Sequence, residues 1–171
     1  MKKGKVLLIT PNLKGIEDGV NRIQPSLGFL LIAPILEKNG FDVKIYDSAL
    51  AGWGNRKTLD EKNKIILIGQ SDEKIAKEIS DYSPDIVAIS VLFSNLLESA
   101  HNIAKIVKRV KKDIVTILGD NFYPYGVSGK KDPLWDNYYE IFKNLSNPKY
   151  SILGNHDYLS NPTCQLRNEH W

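Results

Sequence analysis

Three histidines and one cysteine bound the chemistry open to this chain. Cys164 has no second thiol, which excludes an internal disulfide framework and any cysteine-cluster zinc site. No Cys-x-x-x-Cys-x-x-Cys string occurs, so the chain cannot itself hold that type of iron–sulfur cluster. His101 falls on the polar side of a predicted helix and His170 lies at the end, which leaves His156 in the string Gly154-Asn155-His156-Asp157. Ser90-Val91-Leu92 follows an apolar run. A serine hydroxyl at the end of a strand can bond a polar group of a ligand. Tyr123, Tyr125, Trp135, Tyr138 and Tyr139 invite a stacking role, but at helical spacing they read as core. The basic run 105–112 reads as a solvated helix end.

The elements that must position these groups follow one rhythm. Val6–Ile9, Val43–Tyr46, Ile86–Ile89 and Ile114–Leu118 are continuous apolar runs of strand length. Between them lie helical patterns. The first has Ser26 as N-cap, core positions Leu27, Leu30, Leu31 and Ile35, Pro34 inside it and Gly40 past its end. The spacing predicts a second helix opened by Ser71 with Ile75 and Ile79 inward. In a third, Ser94 caps a stripe of Leu97, Ala100, Ile103, Ala104, Val107 and Val110. Residues 48–64 read as loop, with a short strand at Ile65–Ile68. Asp132 and Pro133 open a last helix through Trp135, Tyr138, Phe142 and Leu145, and Lys149–Leu153 forms a fifth strand.

This β-α alternation predicts an α/β fold: a single domain built on a Rossmann-like, flavodoxin-like doubly wound parallel sheet of about five strands. Such sheets bind ligands at the carboxyl ends of their strands, so the residues after Ile9, Ile89, Leu118 and Leu153 matter most. The 171 residues suffice for one ordinary domain, and 42% apolar with 25% charged residues argues against disorder. A net charge of +3, from 23 basic and 20 acidic residues, is too balanced to point to nucleic acid. The apolar run after Lys5 is too short for a signal-peptide core or a membrane span, so a soluble cytoplasmic protein is expected.

The first 119 residues resemble the cobalamin-binding domain found at the front of many radical SAM enzymes. The resemblance rests on Pro25-Ser26-Leu27-Gly28-Phe29-Leu30, Glu37-Lys38-Asn39-Gly40, Ile45-Tyr46-Asp47 and Pro84-Asp85-Ile86-Val87-Ala88-Ile89-Ser90. It implies a Ser-x-Leu after the third strand, here Ser90-Val91-Leu92, and a Gly-Gly after the fourth, here Gly119 followed by Asp120. The cobalt-ligating Asp-x-His-x-x-Gly of that family belongs in Thr10–Gly15, which keeps Gly15 and has Asn12 in place of the histidine. Asp47–Gly52 mimics the same motif without a histidine but after the wrong strand. The resemblance therefore implies cobalamin bound without a protein imidazole, through Asn12, Gly15, Ser90, Leu92 and Gly119.

Residues 118–171 resemble the purple acid phosphatase branch of the metallophosphoesterases, through Leu118-Gly119-Asp120-Asn121-Phe122-Tyr123 and Leu153-Gly154-Asn155-His156-Asp157-Tyr158. That likeness implies iron- or zinc-type metals, with Asp120 bridging, Tyr123 as a phenolate ligand and Asn155 on the second metal. His156 would assist catalysis at the leaving-group oxygen. The family's earlier Asp-x-Gly and later histidine motifs are missing, so the ligand set is incomplete.

The two resemblances meet at Ile117-Leu118-Gly119-Asp120, as expected for a join at a short shared string. The expectation is a cobalamin-type module over 1–119 carrying a partial phosphoesterase segment over 120–171, with helix 133–145 and strand 149–153 completing the sheet. Its partner is a small-molecule cofactor, with little or no catalysis. The alternative is a metal-dependent acid phosphatase acting on phosphate monoesters.

Overall fold

The computed structural model describes residues 3–91, 94–118, 127–129, 131–136 and 149–151. In chain order the elements are β1 (Lys5–Thr10), β2 (Leu13–Ile16), α1 (Leu27–Lys38), β3 (Asp42–Asp47), α2 (Ser48–Ala51), β4 (Arg56–Asp60) and β5 (Ile65–Ile68). They continue with α3 (Asp72–Tyr82), β6 (Ile86–Ile89), a 3-10 turn at Ser94–Leu96, α4 (Leu97–Val110), β7 (Val115–Leu118) and β8 (Lys149–Ser151). Five strands form a parallel sheet in the order β3-β1-β6-β7-β8, with Ile9 opposite both Tyr46 and Ile89. Counted along the main sheet this is 2-1-3-4-5, the doubly wound order expected, and β8 supplies the fifth strand.

Side chains of a strand alternate between faces, and both faces of this sheet are apolar. Leu7, Ile9, Val87 and Ile89 pack against Ile75 and Ile79 of α3 and Ala100, Ile103, Ala104 and Val107 of α4. Trp135 joins this cluster, as its helical spacing predicted, and its indole N–H donates to the Gly129 carbonyl at 3.0 Å. The Asp132 carboxylate accepts from the Leu134 amide at 3.0 Å, the capping role assigned to it. On the other face Val6 and Leu8 meet Phe29 and Ala33 of α1.

Four local expectations are corrected. In α1 the predicted core positions Leu27, Leu30, Leu31 and Ile35 are exposed, Leu27 and Leu31 to 71% each, and Phe29 and Ala33 are buried instead. The helix is apolar on almost every side, so periodicity alone does not choose the face that packs on the sheet. Residues 48–64 are not one loop: they contain α2 and β4, and β4 joins β5 and β2 in a separate antiparallel sheet ordered β2-β5-β4. α4 starts one turn later than Ser94, with Leu96 at its N-cap, because Ser94–Leu96 winds as a 3-10 turn. His101 is also more buried than a polar helix face implies. Burial, then the nearby Lys105 charge, lower its pKa to about 4. No helix among the described residues is long and apolar enough to cross a membrane.

Candidate functional site

Reversal of chain direction across the sheet creates the site. From β1 the chain crosses through α1 to β3 on one side. From β6 it crosses through α4 to β7 on the other, so the strand ends of β1 and β6 are left with a crevice between diverging connections. A cavity of about 550 Å³ lies there. Three adjacent strand ends supply Asp47, Thr10 and Ser90 to it. The Ser90 amide donates to the Ile9 carbonyl at 3.1 Å, extending the β1–β6 ladder and fixing the serine beside Thr10. Ser26, at the N-cap of α1, makes no cap bond; its hydroxyl donates to the Ser90 hydroxyl at 3.3 Å.

The walls are apolar, and the segment over them mixes polar side chains with the apolar Val20 and Ile23. Leu13, Ile16, Ala49 and Ile65 come from the small sheet and α2, whereas Asn21, Arg22 and Gln24 come from the segment between β2 and α1. Gly15 makes that roof possible. The Asn21 side chain folds over it to donate to the Ile16 carbonyl at 2.8 Å, and a Cβ on residue 15 would stand 1.9 Å from Asn21 Oδ1. At the rim Lys14 pairs with Glu98 at 3.2 Å, an exposed pair of small energetic weight.

Of the residues the sequence pointed to, Gly15 and Ser90 line this cavity. Asn12 sits below it, buried. Its side-chain amide donates to the Gln70 carbonyl at 2.7 Å, and its Oδ1 accepts from the Gln70 amide at 3.1 Å and from the Ser48 hydroxyl at 2.8 Å. Ser48 shares that hydroxyl with the Thr10 carbonyl at 2.9 Å. Asn12 thus fastens the end of β1 to the end of β5, and it borders a smaller space of about 130 Å³. Leu92, Gly119, Asp120, Tyr123, Asn155 and His156 lie outside the described residues. Among the described residues no group of three or more histidine, cysteine or acidic side chains could hold a metal ion. Thr10, which follows Ile9 where the sheet pattern points, also lines the cavity, as do Ser26 and Asp47, legible in the sequence only as a helix cap and a strand end.

An α/β domain with a hydroxyl-floored cavity at the switch point of a 2-1-3-4-5 sheet belongs to the small-molecule-binding doubly wound class. Residues 18–123 match the family described as the B12 binding domain, and the chain belongs to that family. A second family, the calcineurin-like phosphoesterases, matches residues 92–171, so the two matches share 92–123, from just before the 3-10 turn to just beyond β7. Over 115 residues the chain is 35% identical to the cytidylyl-2-hydroxyethylphosphonate methyltransferase of Streptomyces wedmorensis, covering 67% of this chain and 22% of that protein. It is 39% identical to purple acid phosphatase 7 of Arabidopsis thaliana over 70 residues, 39% of this chain and 21% of the relative. It is 35% identical to human tartrate-resistant acid phosphatase type 5 over 74 residues, 41% of this chain and 23% of the relative. The chain therefore spans about a fifth of the length of these relatives.

Proposed function

We propose that this chain is a corrinoid-binding module of the kind that serves radical SAM enzymes, with the nucleotide arm of cobalamin lodged in the 550 Å³ cavity and the cobalt held without a protein imidazole. The observation that carries the reading is the coincidence of family and place: the cavity opens at the switch point, floored by the Thr10, Ser26 and Ser90 hydroxyls. Those hydroxyls fit the polar groups of the arm, and Leu13, Ile16, Ala49 and Ile65 would keep water from it. A bound corrinoid supplies cobalt-centred alkyl-transfer chemistry; the residues here bind and orient it. The methyltransferase relative, matched over two thirds of this chain, supports the same role. In this reading residues 1–119 are the binding module, residues 120–171 add a phosphoesterase segment with little or no catalysis, and the setting is cytoplasmic.

The test is direct. Purified protein is mixed with hydroxocobalamin, desalted and examined by visible absorbance; a retained corrinoid spectrum near one equivalent is expected, and none retained overturns the reading.

The match of residues 92–171 to the phosphoesterases supports a second reading, a metal-dependent acid phosphatase using Asp120, Tyr123, Asn155 and His156. Iron and zinc loading followed by metal analysis tests it. Two bound ions with a broad visible band and hydrolysis of a phosphate monoester would favour it, and less than one equivalent of metal would sink it.

A further inference from the structure

We infer that Asp47 selects among ligands for this cavity by accepting a hydrogen bond from a ribose hydroxyl; the inference rests on the corrinoid reading above. Asp47 closes β3 and stands in register with Thr10 of β1, so its backbone is held by the parallel ladder. One carboxylate oxygen, Oδ1, accepts from the Leu50 amide at 2.9 Å and caps α2. That bond fixes the carboxylate's orientation, while Oδ2 is engaged by no hydrogen bond or ion pair among the described residues. The residue lines the cavity, and it is the one acidic side chain among the described residues that do so.

An ionised carboxylate only accepts hydrogen bonds, so its partner must be a donor. A phosphate placed beside it would be repelled, whereas a sugar hydroxyl donates to it in a charge-assisted bond. The cavity's two cations lie away from the strand end that holds Asp47: Arg22 comes from the segment between β2 and α1, and Lys14, paired with Glu98, comes from β2. This division of charge suits a ligand arm that carries both a hydroxylated sugar and a phosphodiester, with the sugar at the β3 end. A corrinoid lacking the nucleotide would bring no ribose hydroxyl to the carboxylate. Rigid strand-end placement makes the discrimination inexpensive in ordering entropy.

The test compares hydroxocobalamin with cobinamide, a corrinoid without the nucleotide arm, by absorbance titration of the full chain. Wild type should bind cobalamin at least ten-fold more tightly. Asp47→Ser keeps one oxygen to cap α2 and removes the free one; it should narrow the gap about ten-fold by weakening cobalamin alone, with cobinamide affinity unchanged. Asp47→Asn should narrow the gap in the same direction, and circular-dichroism melts confirm that both variants fold. Equal binding of the two corrinoids by wild type, or equal weakening of both by Asp47→Ser, overturns the role of Asp47 and leaves the corrinoid reading standing. If wild type retains neither corrinoid, the corrinoid reading itself fails, and the role of Asp47 falls with it. An ADP competition arm separates the sources of ribose: failure of millimolar ADP to displace cobalamin assigns the site to the corrinoid's own arm, and displacement dependent on Asp47 reassigns it to a free nucleotide, against the inference.

Discussion

Ser26 and Ser90 lie 64 positions apart in the chain, and their hydroxyls meet at 3.3 Å on the floor of the main cavity. The bond ties the start of α1 to the end of β6 across the crevice. Ser90→Leu puts an isobutyl group where a ligand must enter, so corrinoid retention after desalting should fall at least ten-fold. Ser26→Ala removes one neutral hydrogen bond and should lower stability by about 0.5–1 kcal/mol in urea titration. Unaltered binding in Ser90→Leu would place the ligand elsewhere.

The fastening at Asn12 predicts a coupled pair. Asn12→Ala leaves the Gln70 carbonyl without its 2.7 Å donor and should destabilise by about 1–3 kcal/mol. Gly69 has φ +144° and its missing Cβ would stand 2.0 Å from Asn12 Oδ1, so Gly69→Ala should be worse, about 3 kcal/mol or more. In the double variant the steric conflict with Asn12 is gone. The combined loss should therefore fall short of the sum of the two, which urea melts of all four proteins would show.

His101 gives the acid limb of the stability profile a specific shape. Burial, followed by the Lys105 charge, holds its folded pKa near 4 against an ordinary value of 6.5. Below 6.5 the unfolded chain takes up a proton that the folded one refuses, so stability present at neutral pH is lost as pH falls from about 6.5 to 4. The loss should approach 2–3 kcal/mol. His101→Asn should flatten that part of the curve; an unchanged slope would contradict the burial of the imidazole.

The two sides of α1 should respond oppositely. Phe29→Ala opens a hole over Val6 and Leu8 and should cost about 3–4 kcal/mol. Leu31→Ser acts on a side chain that is 71% exposed, so it should change stability by less than about 0.5 kcal/mol and improve solubility. Thermal melts of the two variants decide between this orientation and the reverse.

The continuous apolar strands and the α4 stripe were readable in advance because each buries in only one way: Val87 and Ile89 have no polar alternative, and Ala100, Ile103, Ala104 and Val107 form the only apolar face of their helix. α1 was not, since Leu27, Leu30, Leu31 and Ile35 make as good a stripe as Phe29, Ala33 and Leu36, and periodicity cannot choose between two apolar faces. β4 carries Arg56, Lys57, Thr58 and Asp60, a pattern that becomes a strand only through pairing with β5 in the second sheet. Of the two residues that line the cavity, Ser90 is legible from its place just past a strand, whereas Gly15 comes from the family resemblance and lies inside β2. The resemblance implies Asn12 as a cofactor contact; the structure shows its amide engaged by Gln70 and Ser48, partners 58 and 36 residues away whose approach no local pattern announces.

β1 is hydrogen-bonded to β3 on one edge and to β6 on the other, yet it lies wholly upstream of residue 18, where the B12 family match begins. A fragment excised at that boundary would keep every cavity residue after position 18 and lose the plank that joins its two halves. β3 with α1 would drift from β6 and β7, and Val6 and Leu8 would no longer be there to cover Phe29. Any expression of this module on its own must therefore start no later than Lys5.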